Sequence, residues 1–282
     1  MKNCNLVSRR SFLALAASAP FATAASKGKK IPVALQVYSV KDELSKDFNG
    51  TIRAVAKMGY EGVEFFAPYF KWTPTYAKEV RKLLNDLGIP CYSTHNQIAS
   101  FTPEGLPHAL EINQIIGSKY LILATMEPVQ GLDGWKKLAD GLNQAVEKGK
   151  LMGVGAGQHT HVRNFQLLEG KRPIDVVVAN TSNDVMIQLD VGTCLDAGAD
   201  PIAWIKQAPG RTTSIHCKDW SSDKSKGYRV LFGEGIAPWK DIFVTADAVG
   251  GLKYLVIEQE PTDHPPMEAA ELSLANFRKL RA

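Results

Sequence analysis

From Val33 onward the chain alternates two hydrophobic patterns. Short apolar runs rich in Val, Ile, Leu and Tyr recur at Val33–Tyr38, Gly62–Phe66, Pro90–Thr94, Tyr120–Ala124, Val154–His159, Val185–Asp190, Thr213–His216 and Tyr254–Glu258. Runs of this length and composition predict buried strands. Between them, apolar positions three and four apart predict helices over Thr51–Met58, Tyr76–Leu87, Ala109–Ile116 and Trp135–Met152. Each is followed by a glycine (Gly59, Gly88, Gly117 and Gly153), the residue that most easily takes the left-handed conformation closing a helix.

Eight such units in the 252 residues from position 31 onward average about 31 residues each, the size of a β-α-β repeat. Eight strands alternating with helices predict a single-domain (β/α)8 TIM barrel over residues 31–282. An open doubly wound sheet is the alternative. It is disfavoured because no G-x-G-x-x-G follows the first strand.

A barrel of this kind builds its site at the C-terminal ends of its strands. Those ends carry Glu64 on strand two, His95 and Asn96 on strand three, and His159 and His161 on strand five. They carry Asp190 on strand six, His216, Lys218 and Asp219 on strand seven, and Glu258 and Glu260 on strand eight. Four of the six histidines fall at such ends. His159 and His161, two apart on an extended segment, face one way. Imidazoles with carboxylates suit a divalent ion such as Mn, Co, Fe or Zn. Taken singly, each residue has a structural reading. A strand-end histidine is more often a hydrogen-bonded structural residue, Glu64 could pair with a lysine on a neighbouring strand, and Asp190 before Val-Gly could form a turn. Asp, His and Glu closing three consecutive strands shift the balance toward a metal site.

Composition narrows the class. The hydrophobic share is 45% and the charged share 22%, and no apolar run reaches the roughly 18 residues of a membrane span. Residues 1–24 contain Lys2, Arg9 and Arg10 without an acid, so the net charge of +4 leaves only +1 on the remainder. A nearly neutral body argues against nucleic acid as a partner. Ser8-Arg9-Arg10-Ser11-Phe12-Leu13, an apolar stretch from Phe12 to Ala19 and the small residues Ala22-Thr23-Ala24 resemble a twin-arginine signal. Residues 1–24 are therefore expected to be a removable signal, 25–30 a linker, and the mature protein periplasmic or otherwise exported. Cys91, Cys194 and Cys217 are too scattered for a disulfide framework and are expected to be small core residues.

The segments "LQVYSVKDEL", "MGYEGVEFF", "QLDVGTCLDAGADPIAWIKQAPGR", "SIHCKDW", "FGEGIAPWKDIF" and "YLVIEQE" together resemble the xylose-isomerase-like TIM barrels named sugar phosphate isomerases/epimerases. The resemblance spans residues 31–280 and is densest in the second half. It implies a divalent metal bound by Asp190, His216 and Glu258, with His159 as a further ligand. Catalytic roles are expected for Glu258, His161 and Lys218, and substrate contacts from Glu64, His95 and Asn164. The chain departs from the pattern after strand five, where Gln158-His159-Thr160-His161-Val162-Arg163-Asn164-Phe165 places Asn164 where relatives have Glu. Relatives use two metal-bound carboxylates to remove and return a proton. With Asn164 neutral, a histidine paired with Glu258 is expected instead, and a surface-loop position for Glu169.

The leading expectation is an exported, metal-dependent isomerase or epimerase acting on an unphosphorylated sugar or keto-sugar by proton abstraction beside a carbonyl. A lyase or hydratase on the same scaffold is the alternative, and a non-catalytic sugar-binding barrel a third reading. Apurinic endonucleases share the superfamily, but they need more metal ligands and a basic surface. Tyr38, Phe65, Phe66, Tyr69, Phe70 and Trp72 could form a stacking wall for a sugar, although packing explains most aromatic residues.

Overall fold

The computed structural model describes residues 30–124 and 127–281. The segment read as an export signal lies outside them. The body Ile31–Ala282 is a closed, all-parallel barrel in which the eight strands pair in sequence order. They are β1 Val33–Gln36, β2 Val63–Phe65, β3 Cys91–Asn96, β4 Tyr120–Leu123, β5 Gly155–His159, β6 Met186–Asp190, β7 Thr212–Cys217 and β8 Tyr254–Ile257. Pairing of Leu35 with Ile257 is part of the β1–β8 ladder that closes the ring. The helices are α1 Lys41–Lys46, α2 Phe48–Met58, α3 Pro74–Leu87, α4 Leu106–Ile116, α5 Gly131–Lys150, α6 Val162–Phe165, α7 Pro173–Ala179, α8 Val191–Asp196, α9 Pro201–Gln207, α10 Trp239–Thr245 and α11 Pro266–Arg281. None of the described helices is long and apolar enough to cross a membrane.

The glycine stops work as their sequence predicts for α2, α3 and α4, whose caps Gly59, Gly88 and Gly117 all have positive φ. The fifth helix differs. It begins earlier than the apolar pattern suggested and ends at Lys150, and a turn through Leu151 and Met152 carries the chain to Gly153.

Inside the barrel, successive inward positions change character along the axis. Toward the N-terminal end, Ala34, Ile122, Met186, Tyr254 and Val256 form an apolar plug with Tyr92 and Tyr120 packed on it. The Tyr254 ring stacks on Tyr92 at 5.2 Å and on Tyr120 at 5.8 Å. Gly157 leaves room for this plug, since a β-carbon there would fall 2.3 Å from Met186 Cγ. Toward the C-terminal end the inward side chains become polar: Gln36, Glu64, Ser93, His95, Gln188 and His216. Water cannot satisfy groups at this depth, so they must bond to one another. Register irregularities at Val63/Glu64 and Ile187/Gln188 fall on two of these residues, where a bulge re-aims a side chain. Cys91, Cys194 and Cys217 are buried and unpaired.

Candidate functional site

Alternation along β5 to β8 brings four side chains to one point. His159, Asp190, His216 and Glu258 each offer a possible ligand atom, and these atoms all lie within 4.8 Å of one another. All four are buried. Asp190 is held by a local device, since its Oδ1 accepts from the Thr193 N–H at 2.8 Å and so caps α8. Gly192 allows the turn to sit close to β7, because a β-carbon there would be 2.9 Å from the Lys218 carbonyl oxygen. The turn-forming reading of Asp190 is thus right for one oxygen only. Its Oδ2 is buried without a hydrogen bond. Lys218 Nζ stands 3.1 Å from it as an ion pair, and His159 Nε2 is 3.7 Å away.

Lys218 does not pair with Asp219. Its ammonium lies among Asp190, Glu258 Oε1 at 3.5 Å and Glu260 Oε1 at 3.6 Å. Asp219 instead binds the β7–α10 loop, accepting from Trp220 and Gly233 N–H and from Trp239 Nε1 at 2.7 Å. Burial opposes the charge on Lys218, but the three carboxylates hold it protonated well above the ordinary lysine range. Burial also works against the Glu258 anion, which Lys218 and His216 keep well below the usual carboxylate range. Asp190 is shifted upward, chiefly by burial. Burial pushes His161 down to about 3 and His159 well below its ordinary value, so both rings are neutral at neutral pH.

Above this cluster opens a cavity of about 600 Å³, within the ~300–1,000 Å³ common for small-molecule sites. A hexose is six CHOH units, each near the ~30 Å³ of a water, so roughly 180 Å³. The cavity therefore has room beyond one sugar ring. His95, His159, His161, Lys218 and Glu258 line it, as do Glu260, Asp196, Tyr228 and Arg163. Of the six aromatic residues considered for a sugar wall, Tyr38 and Phe66 line it, with rings edge to face at 5.3 Å. Phe65 and Tyr69 are buried, packing with Trp72.

Two residues expected to touch substrate lie elsewhere. Asn164 is buried and absent from the cavity wall; its Oδ1 accepts from the His161 N–H at 2.7 Å and braces the start of α6. Glu64 is fully buried beneath the cluster, and among the described residues no lysine pairs with it. Its partners are Gln36, Ser93, His95, Gln188 and His216. Glu169 sits on a surface turn with φ 52°, accepting from Leu132 N–H. Sequence reasoning missed Gln188, and named Glu260 at the end of strand eight without giving it a role. Both follow the same two-residue alternation as the singled-out residues, Gln188 two before Asp190 and Glu260 two after Glu258, so the signal was present.

The donor set suits a divalent cation: two imidazoles and two carboxylates, all largely buried, with Asp190 Oδ2 held only by its ion pair with Lys218. The residues present could therefore hold a metal.

No curated protein sequence matches this chain significantly. Among solved structures, it is similar in fold to a sugar phosphate isomerase/epimerase from Parabacteroides distasonis, with a TM-score of 0.75 and 23% identity over 90% of this chain and 95% of that one. It is similar to a D-psicose 3-epimerase from Clostridium cellulolyticum, with a TM-score of 0.69 and 15% identity over 89% and 99% of the two chains. A probable 3-DHS dehydratase from Bacillus anthracis superposes with a TM-score of 0.66 and 15% identity over 89% and 99%. The family model for xylose isomerase-like TIM barrels matches residues 52–280. With that match covering most of the chain, and a closed eight-stranded parallel barrel beneath it, the protein belongs to the xylose isomerase-like TIM barrel family.

Proposed function

We propose that this protein is a metal-dependent enzyme of the sugar isomerase/epimerase type, which removes a proton from a sugar or keto-sugar carbon beside a carbonyl. One observation carries the reading: His159, Asp190, His216 and Glu258 converge at the C-terminal end of the barrel, and His159 and Glu258 also line a cavity with room for a sugar. The metal would be held by these four residues and, when bound, would supply Lewis-acid polarisation of the substrate oxygen. Glu258, kept anionic, is placed to take the proton. Lys218, kept cationic, is placed to hydrogen-bond the oxygen on which charge develops. Neutral His161 lines the wall and can donate or accept a hydrogen bond. With its ionisation near 3, it supports no rate inflection at pH 6–7 of the kind a solvent-exposed histidine base would give. A complete ligand quartet speaks against a purely sugar-binding barrel.

A specific feature favours one-base isomerisation or elimination over two-base epimerisation. The carboxylates lining the cavity, Asp196, Glu258 and Glu260, all come from the segments after β6 and β8. The β3–β5 side presents His95, His159 and His161. Removing a proton on one face and returning one on the other needs an effective acid or base on both, and burial leaves His159 and His161 weakly basic. The twin-arginine pattern supports export, and with it a substrate lacking phosphate.

The test is to incubate manganese-loaded protein with a panel of sugars, keto-sugars and glycosides in deuterated water. Solvent deuterium should enter at a carbon beside the carbonyl, and both chelation and Glu258→Gln should abolish it. If Glu258→Gln keeps full metal and full exchange, Glu258 is not the base. If no substrate in the panel exchanges, the proton-abstraction reading falls.

A further inference from the structure

We propose that Glu64 is a positioning residue for the metal centre. This one buried carboxylate sets the proton position on both histidine ligands, on His216 directly and on His159 through Gln188, so that each turns a lone pair toward the site. The inference rests on the metal reading above and goes beyond it, because Glu64 neither faces the cavity nor belongs to the ligand quartet.

Four hydrogen-bond donors and one further ion-pair partner converge on Glu64. Oε1 receives Gln36 Nε2 at 2.8 Å and His216 Nε2 at 2.6 Å, with His95 Nε2 2.9 Å away as an ion-pair partner. Oε2 receives Gln188 Nε2 at 2.7 Å and the Ser93 hydroxyl. An ionised carboxylate only accepts, at about four lone-pair positions, so the four hydrogen-bonding partners fill it and each must donate. His216 therefore carries a proton on Nε2. The nitrogen left for a ligand is Nδ1, which lies 2.7 Å from Glu258 Oε2 inside the quartet.

The same logic passes one residue further. The amide nitrogen of Gln188 must face Glu64, so its Oε1 faces the other way, toward His159 Nδ1 at 3.0 Å and His95 Nε2 at 2.8 Å. An amide oxygen also only accepts, and His159 is consequently protonated on Nδ1. Its free nitrogen is Nε2, the one 3.7 Å from Asp190 Oδ2. The two histidines thus ligate through different nitrogens, and one fixed acceptor explains both. Carboxylates behind metal-binding histidines orient the ring and raise its basicity in this way, and losing such a partner costs about 10–100-fold in metal affinity.

The experiment combines a variant with a measurement on the unaltered protein. Zn2+ affinity is measured by chelator competition on the full chain and on Glu64→Gln, with thermal unfolding as a fold check and Glu64→Asp as the conservative variant. Glu64→Gln presents an NH2 where only acceptors fit, so binding should weaken 10–100-fold, with partial recovery in Glu64→Asp. In the Zn2+-loaded wild-type protein, ring 15N NMR should show His216 protonated on Nε2 and His159 on Nδ1. The reverse assignment at either ring overturns the proposal without needing any variant. A folded Glu64→Gln protein with wild-type affinity also overturns it, while leaving the metal centre standing. If the wild-type chain binds no Zn2+, the metal reading itself fails and this inference falls with it.

Discussion

Replacing Lys218 with Met tests how the site is held together before a metal arrives. The substitution keeps an unbranched apolar stem one atom shorter and removes an ammonium that lies 3.1, 3.5 and 3.6 Å from Asp190, Glu258 and Glu260. The side chain is 8% exposed, so solvent cannot take over its role. Breaking a buried ion pair from one side costs about 3–5 kcal/mol, because the opposing charges stay buried without compensation. For a domain of this size each kcal/mol is worth about 2–4 °C, which predicts a fall in Tm of roughly 6–20 °C for chelator-treated protein. A bound divalent cation would neutralise Asp190 and Glu258 in place of the ammonium. The deficit in manganese-saturated protein should then be less than half as large. It should also shrink toward pH 5, where the carboxylates left without Lys218 can take up protons. The assay is differential scanning calorimetry of wild type and Lys218→Met, each with chelator and with excess Mn2+. Equal deficits in the two conditions would refute the reasoning, since Lys218 and the metal would then not be answering the same negative charge.

Two further outcomes follow from the same geometry. Burial alone would lower the His216 ionisation, but Glu64 and Glu258 raise it to about 9, above the ~6.5 of an unfolded histidine. In metal-free protein its stabilising contribution is therefore complete below pH ~6.5 and is lost as pH rises through about 9. Metal binding must displace this proton, so about one proton should be released per ion near pH 8, with affinity rising about tenfold per pH unit until near pH 9. Calorimetric titration in buffers of different ionisation enthalpy counts it, and binding without proton release would show that His216 is neutral beforehand. Asn164→Ala should cost about 1 kcal/mol through the lost hydrogen bond to the His161 N–H, a Tm decrease of about 2–4 °C, with Zn2+ affinity unchanged. Unchanged Tm with impaired substrate turnover would return Asn164 to the role of a substrate contact.

The readings that succeeded and those that did not differ in the range over which the deciding interaction acts. Gly59, Gly88 and Gly117 close their helices as expected because a positive φ is a local backbone preference. Val154 and Pro90 were placed inside strands that begin one residue later, since strand ends depend on a neighbour's register and not on composition. His159, Asp190, His216 and Glu258 were found because inward alternation and strand ends are both written along the chain. Glu64 was misplaced for the opposite reason. It too ends an inward-facing run, but its depth depends on a register irregularity and on five partners from four other strands.

The sequence by itself determined the repeat, the closed parallel barrel and the set of residues available at its C-terminal rim. Strand periodicity and glycine stops encode these through the nearest few residues, and eight equal units leave little topological freedom. Only the tertiary structure decided which of those residues face the cavity and which stand behind them. It placed Asn164 at a helix start, Glu260 in the wall, Lys218 between carboxylates, and Glu64 and Gln188 under the histidines. Those assignments come from hydrogen bonds and ion pairs between residues as much as 152 positions apart. Each is fixed because a buried polar group without a partner costs more than the chain can tolerate, and no local pattern records who that partner will be.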